Sequence, residues 1–408
     1  MSFYLLCLSI IIIPIFGQLT ILPLTPELSM EHTKEFLSLI FILSIFFSTK
    51  KTEWSQLPRN PYLNFLVLFL ILSIYNSPTI KMFFGYEDVY GMWAWKSFSW
   101  VLAYYIFYIA IQQINLTWLR KRALIECIAW TAMLCAVCGA FQFFDIDQFQ
   151  VTRSLDEIGN PVAKRITSTI GNPTYLGVFL TICLPFCFIY KRWWWTLIIF
   201  CVILMCQSDI ATMGASLTIF FIMVMRQKSM IWIKLSLMAV IFLTALTLCY
   251  WHEIRPRIND NSRFSIWRQT IKDWQSPPIF IEKSDKMTER QIKDIELINK
   301  RTYAVTGRGM GSFPIYFDPV LKFEDPHNVY LRVLYEIGII GLFLFLSSII
   351  LVLKNTFNLA RNDRWTLAIY TSFFFICLAM IGLPILKVEP LRYFSAIMFS
   401  LLSRQKIA

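Results

Sequence analysis

The chain has 408 residues, 57% of them apolar and only 16% charged, and its 38 Lys and Arg outnumber 26 Asp and Glu to give a net charge of +12. A soluble domain carries about 25% charged and about 45–50% apolar residues, so this composition lies on the membrane side of that average. It excludes a disordered chain, a collagen-like repeat and a small disulfide scaffold. In a polytopic membrane protein a basic excess is what cytoplasmic loops require, so nucleic acid is not an expected partner.

Apolar runs follow one another along the chain near residues 3–22, 34–48, 62–77, 97–114, 123–144, 174–190, 193–207, 210–225, 231–250, 334–353, 365–383 and 391–403. Most approach the length of about 20 residues that a membrane-crossing helix needs. The first run lacks a basic leader and a small-residue cleavage site, and reads as a retained helix rather than a signal peptide. Basic residues occupy every second loop: Lys50, Lys51 and Arg59; Arg120, Lys121 and Arg122; Lys191 and Arg192; Arg226 and Lys228; Lys354, Arg361 and Arg364; then Arg404 and Lys406. Cytoplasmic loops carry the excess of Lys and Arg, so the alternation predicts that both termini are cytoplasmic. Trp193, Trp194 and Trp195 beside Lys191 and Arg192 form an interfacial anchor of the expected kind. The predicted fold is an all-α polytopic membrane protein with about twelve transmembrane helices. Residues 1–250 carry spans one to nine, 251–333 form a large periplasmic loop between helices 9 and 10, and 334–408 carry spans ten to twelve.

The ten cysteines all fall in apolar runs. Cys135-x-x-Cys138 has redox or zinc spacing, but it sits in the middle of a run with no second ligand pair. It reads as two small buried residues at a helix contact. Two exported loops are long, near residues 145–173 and 251–333, and loops of such length tend to be functional or disordered. The second contains aromatic residues throughout, which argues for order. Within it Met287, Ile292, Ile295 and Ile298 recur near helical spacing, predicting a surface helix over residues 282–300.

Chemistry has few places to reside. The histidines are His32, His252 and His327. His32 sits among polar residues in a short outer loop, and His252 follows Tyr250 and Trp251 at a span end. His327 stands just before the tenth span, flanked by Glu324, Asp325 and Asn328, where a helix start can hold the imidazole and a carboxylate can orient it. A histidine titrates near neutrality and is suited to act there as a general base. No His-Glu-x-x-His and no His pair at helical spacing is present, so no metal is expected. Exported cations are the second anomaly: Arg153, Lys164 and Arg165 in the first loop, Arg255, Arg257, Arg263 and Arg268 in the second. They are either loop charges that escape the sidedness rule or guanidinium forks for phosphate oxygens. Gly307, Gly309 and Gly311 in TGRGMGSF follow no strand–helix pattern and read as a tight loop with close backbone approach rather than a nucleotide loop.

Four segments together resemble a known family. RITSTIGNPTYLGVFLTICLPF (165–186), NSRFSIWRQTIKDW (261–274), GRGMGSF (307–313) and DPHNVYLRVLYEIGIIGL (325–342) are similar, in order and predicted side, to segments of the bacterial O-antigen ligases and related polymerases. The His-Asn-x-Tyr-Leu followed by Glu-x-Gly-x-x-Gly is the most specific part. The chain departs from the family pattern in a long stretch between Trp274 and Thr306, and in Asp209, where a basic residue is common. The resemblance implies a metal-independent, inverting glycan transferase of the inner membrane that needs no cofactor. Its donor would be a polyprenyl-diphosphate-linked glycan and its acceptor a hydroxyl of a lipid, a glycan or a protein. It implies His327 as the catalytic base and Arg165 and Arg263 as ligands of the diphosphate, with Glu324, Asn328, Gly309 and Gly311 in support. A surface-polysaccharide polymerase or a protein O-oligosaccharyltransferase would share this chemistry. A transporter or flippase of a lipid-linked glycan is the rival class, for which charge inside the spans is the expected signature.

Overall fold

The computed structural model describes residues 2–15, 114–144, 166–226, 263–275, 304–308 and 326–404, together with single positions at 68, 71, 105, 108, 109, 111 and 112. All regular structure among them is helical: α1 (Ser2–Ile15), α2 (Trp118–Phe143), α3 (Pro173–Ile189), α4 (Trp193–Met205), α5 (Asp209–Arg226), α6 (Arg263–Gln275), α7 (Val329–Asn362), α8 (Arg364–Ala379) and α9 (Glu389–Arg404), with short 3-10 turns at Ser168–Ile170 and Ile385–Lys387. Helices α2, α5 and α7 are each long and apolar enough to cross a bilayer, and α1, α3, α4 and α8 are shorter apolar helices. The architecture is that of a helical membrane protein. The predicted spans between residues 16 and 113 and near 231–250, and the predicted surface helix at 282–300, lie outside the described residues.

Helix starts are written locally. Gly171 closes the first 3-10 turn with φ +84°. Asn172 then accepts from the backbone N–H groups of Thr174 (2.9 Å) and Tyr175 (3.3 Å), and Pro173 takes the first position of α3. A side-chain cap and a proline with no N–H to satisfy are what a helix N-terminus favours. Asn328 caps α7 through the N–H of Leu331 at 3.0 Å, and Asp363 caps α8 through that of Thr366 at 2.8 Å. Asp209 is exposed in the first turn of α5, where a carboxylate suits the positive end of the helix dipole.

Helix α3 is the centre of the packing, buried on almost every side. In a bilayer, helices associate through close van der Waals contact and interhelical hydrogen bonds rather than through apolar burial from water. Small residues supply the close approach here: a Cβ on Gly177 would lie 2.6 Å from that of Ala211, and one on Gly214 would enter the Phe375 ring. The Thr181 hydroxyl donates within α3 to the Gly177 carbonyl (2.8 Å) and reaches that of Ala211 (3.2 Å), while the Ser372 hydroxyl donates to the Ile182 carbonyl at 2.6 Å. Cys135 is buried on α2, with its sulfur 3.4 Å from the Thr169 hydroxyl. Of the two cysteines expected as small buried residues at a helix contact, Cys135 is buried and Cys138 only partly so.

Contacts sort the helices into two ends. At one, the Arg120 guanidinium lies over the Phe3 ring, Arg192 pairs with Glu126 and stacks on Trp195, and Arg404 donates to the carbonyls of Ile111 and Ile114. Trp365 at the start of α8 meets Phe186 near the end of α3 at this same end. At the other, Gln142 at the end of α2 accepts from the N–H groups of Thr167 and Ser168, and the Val329 N–H at the start of α7 donates to the Met380 carbonyl just after α8. Arg120, Arg192 and Arg404, from three of the predicted basic loops, therefore gather at one end, and His327 stands at the opposite one.

Candidate functional site

His327 is followed directly by the cap of α7 and has φ +52°. The left-handed region is uncommon for a residue with a Cβ, although His, Asn and Asp enter it more readily than others, and such positions persist where their surroundings over-determine them. Here the surroundings are visible. The Trp267 indole of α6 donates to the Pro326 carbonyl at 2.9 Å, on the N-terminal side of His327. On its C-terminal side Asn328 is buried as the cap and the Val329 N–H is tied to α8. The Tyr330 hydroxyl adds a second tie to α8, donating to the Cys377 carbonyl at 2.7 Å. The histidine is half-buried between two fixed points.

Below it α7 is broken. Gly338 has φ +75° and ψ −172°, a conformation essentially confined to glycine, and the helix changes direction there. Residues 304–308 dock into the break. A Cβ on Gly338 would lie 2.4 Å from the Val305 carbonyl oxygen, and one on Gly307, itself at φ +77°, would lie 2.3 Å from that of Glu336. Each backbone occupies the space where the other's side chain would be. The bend also brings Gly341 so close to the turn above that a Cβ there would lie 2.3 Å from Ile337 Cγ2. These contacts are the reason for Glu-x-Gly-x-x-Gly and for the first glycine of GRGMGSF.

Charge collects around this break. Arg308 is 7% exposed; its backbone N–H donates to the Tyr335 carbonyl at 3.2 Å and its guanidinium lies 4.3 Å from the centre of the Tyr335 ring. The same guanidinium donates to the Tyr335 hydroxyl and to the Asp273 carbonyl of α6. One turn below His327, Arg332 donates from Nε to Glu336 at 3.2 Å, and Glu336 is 1% exposed. A carboxylate so buried needs its partner, because removing one member of a buried pair leaves an uncompensated charge. Burial pushes the Asp273 carboxyl above the usual carboxylate range, with Arg308 and Lys272 opposing that rise.

The structure thus brings together three of the four sequence segments: α6, residues 304–308, and the start of α7 with His327 and Asn328. Arg263 is the first residue of α6. Arg165, Glu324, Gly309 and Gly311 lie outside the described residues; Ile166, next to Arg165, is buried beside Gly139 of α2. Sequence reasoning missed Arg308, Tyr335, Arg332 and Glu336. Glu336 and Arg392, at the starts of the tenth and twelfth predicted spans, are nevertheless buried, 1% and 3% exposed. Glu336 stood in the quoted motif, and Arg332 four residues before it is the ion-pair spacing of a helix. Those two signals were available in the sequence. No protein-family model matches the chain, and no curated protein matches it.

Proposed function

We propose that this chain is a bacterial inner-membrane glycan transferase of the O-antigen ligase and polymerase class. In this reading it has twelve spans, a periplasmic loop between the ninth and tenth, cytoplasmic termini and a site on the periplasmic side. The observation that carries the proposal is His327: a titratable side chain held in a left-handed conformation at the less basic end, fixed on both sides by α6 and α8. Strain of this kind is concentrated at functional sites. The positive-inside rule assigns the opposite, basic end to the cytoplasm.

In this reading the donor is a glycan linked through its anomeric carbon to a polyprenyl diphosphate. An acceptor hydroxyl attacks that carbon while His327 takes the hydroxyl proton. The new C–O bond forms as the bond to the diphosphate oxygen breaks, with inversion, and polyprenyl diphosphate leaves with the electron pair. The donor bond supplies the driving force, so neither a cofactor nor a nucleotide is invoked. Arg165 and Arg263 hold the diphosphate, since a planar guanidinium matches two phosphate oxygens at once and charge grows there in the transition state. The acceptor is a lipid, a glycan repeat or a protein hydroxyl.

The test is transfer from a purified polyprenyl-diphosphate glycan by the full chain in detergent. Wild type should transfer glycan, and His327→Ala should lose about 10²–10⁴-fold, the usual worth of a general base. Equal activity of the two would remove His327 from the reaction. Movement of the lipid-linked glycan across vesicle membranes without transfer would replace the enzyme reading with a flippase.

A further inference from the structure

We propose that Arg308 is a positioning residue that clamps α6 to the start of α7, and so sets the separation between Arg263 and His327. The inference rests on the transferase reading and adds to it a residue that touches neither reactant. Four contacts carry it. The Arg308 backbone N–H is bonded to the Tyr335 carbonyl, its guanidinium lies against the Tyr335 ring, and its N–H groups reach both the Tyr335 hydroxyl and the Asp273 carbonyl. Tyr335 belongs to α7 and is fully buried, while Asp273 belongs to α6. One planar fork therefore spans two elements, which a flexible single-point ammonium does not reproduce.

The backbone around Arg308 is set for this purpose. Gly307 and Gly338 interlock, which anchors residues 304–308 in the break of α7, and from there the Arg308 side chain reaches α6. Trp267 makes a second, weaker tie between the same two elements through the Pro326 carbonyl. With both ties in place, the helix that begins with Arg263 and the turn that presents His327 form one rigid unit. Holding two reacting groups at a fixed separation is worth large factors in rate, and small misplacements are costly.

The experiment compares wild type, Arg308→Lys and Arg308→Ala as full chains in detergent, with two readouts. Hydrogen exchange of residues 263–275 reports the clamp without reference to any reaction: exchange there should rise about tenfold or more in Arg308→Ala, while residues 173–226 stay as in wild type. Single-turnover transfer with donor already bound reports positioning. Its rate constant, which does not depend on the fraction of protein folded, should fall by about 10²-fold, with donor KM within about threefold of wild type. Arg308→Lys should resemble Arg308→Ala in rate while losing less thermal stability, because the ammonium keeps charge at the site but not both ties. Unchanged exchange in α6 overturns the clamp whatever reaction the chain performs. Raised exchange with an unchanged rate constant makes the contact structural only and overturns positioning. Absence of transfer by wild type itself defeats the transferase reading, and with it positioning, while the exchange result still decides whether the clamp exists.

Discussion

Gly338→Ala offers a sharp test of the architecture because two independent penalties meet at one Cβ. An L-residue at φ +75°, ψ −172° costs about 1–3 kcal/mol. The new methyl would also stand 2.4 Å from the Val305 carbonyl oxygen and 2.5 Å from the Gly307 nitrogen. Both are backbone atoms, so no side-chain rotation relieves the contact, and overpacking of this kind costs a further ~1–3 kcal/mol. The alternative is for α7 to straighten, gaining about 1 kcal/mol of helix propensity. Straightening would swing residues 329–337 away, breaking the bond from Val329 to Met380 and the contacts of Tyr335 with Arg308. The first route costs about 2–6 kcal/mol, and the second sets those lost contacts against about 1 kcal/mol of propensity. Gly139→Ala is the control: its Cβ would meet only side-chain tips, Ile166 Cδ1 at 3.2 Å and Val202 Cγ1 at 3.4 Å, in a helix that favours alanine. Denaturant unfolding in detergent measures both variants, and hydrogen exchange at residues 304–308 shows where the damage lies. A Gly338→Ala protein as stable as the Gly139→Ala protein would refute the interlocked break.

Other substitutions separate chemistry from fold. His327→Asn keeps a side chain that tolerates the left-handed region, so it should retain wild-type stability and still lose transfer about 10²–10⁴-fold; retained transfer would sink the general base. Arg165→Lys and Arg263→Lys should each lose most of the activity, and transfer should persist in EDTA, since the guanidinium fork and not the charge alone is required; full activity of the double Lys variant returns both to ordinary loop charges. For Asp273, burial raises the folded-state pKa above the unfolded one, so folding favours the protonated acid. Its contribution to stability is greatest below the unfolded value and is lost as pH rises through the folded one. Asp273→Asn should accordingly gain stability relative to wild type as pH climbs through the carboxylate range, read from paired melting curves; a constant difference across that range would count against the shift.

Much of the described fold could be read from apolar run length and from cap residues. The runs at 123–144, 174–190, 193–207, 210–225, 365–383 and 391–403 correspond to α2, α3, α4, α5, α8 and α9, with ends displaced by a few residues. The tenth run is the instructive exception. Its apolar window of 334–353 is embedded in α7, which starts at Val329 because Asn328 caps it and continues to Asn362, well past the apolar window. Hydropathy sees the part that meets lipid, whereas capping sets where the helix begins. The break at Gly338 was invisible to hydropathy, since glycine within an apolar run has no periodic signature, and only the docked backbone of residues 304–308 explains it. Arg308 was equally hidden: between two glycines in a polar loop it looks solvated, and its burial follows from a docking that no local pattern encodes.

Two arginines at this site are already held by the protein. Arg308 is committed to Tyr335 and Asp273, and Arg332 to the buried Glu336. A diphosphate that recruited either would have to strip it from partners inside the protein, and in Arg332's case would break an ion pair to a buried carboxylate. The proposed ligands adjoin described elements in sequence. Arg165 adjoins Ile166 and Thr167, where the backbone is tied to Gln142, and Arg263 opens the helix that Arg308 grips. The two pairs should therefore respond in opposite order to truncation. Arg308→Ala and Arg332→Ala should destabilise the protein most, whereas Arg165→Ala and Arg263→Ala should leave unfolding nearly unchanged and weaken donor binding most. Unfolding and donor-affinity measurements on the four variants decide the matter, and an inverted ranking would assign the diphosphate to the buried pair.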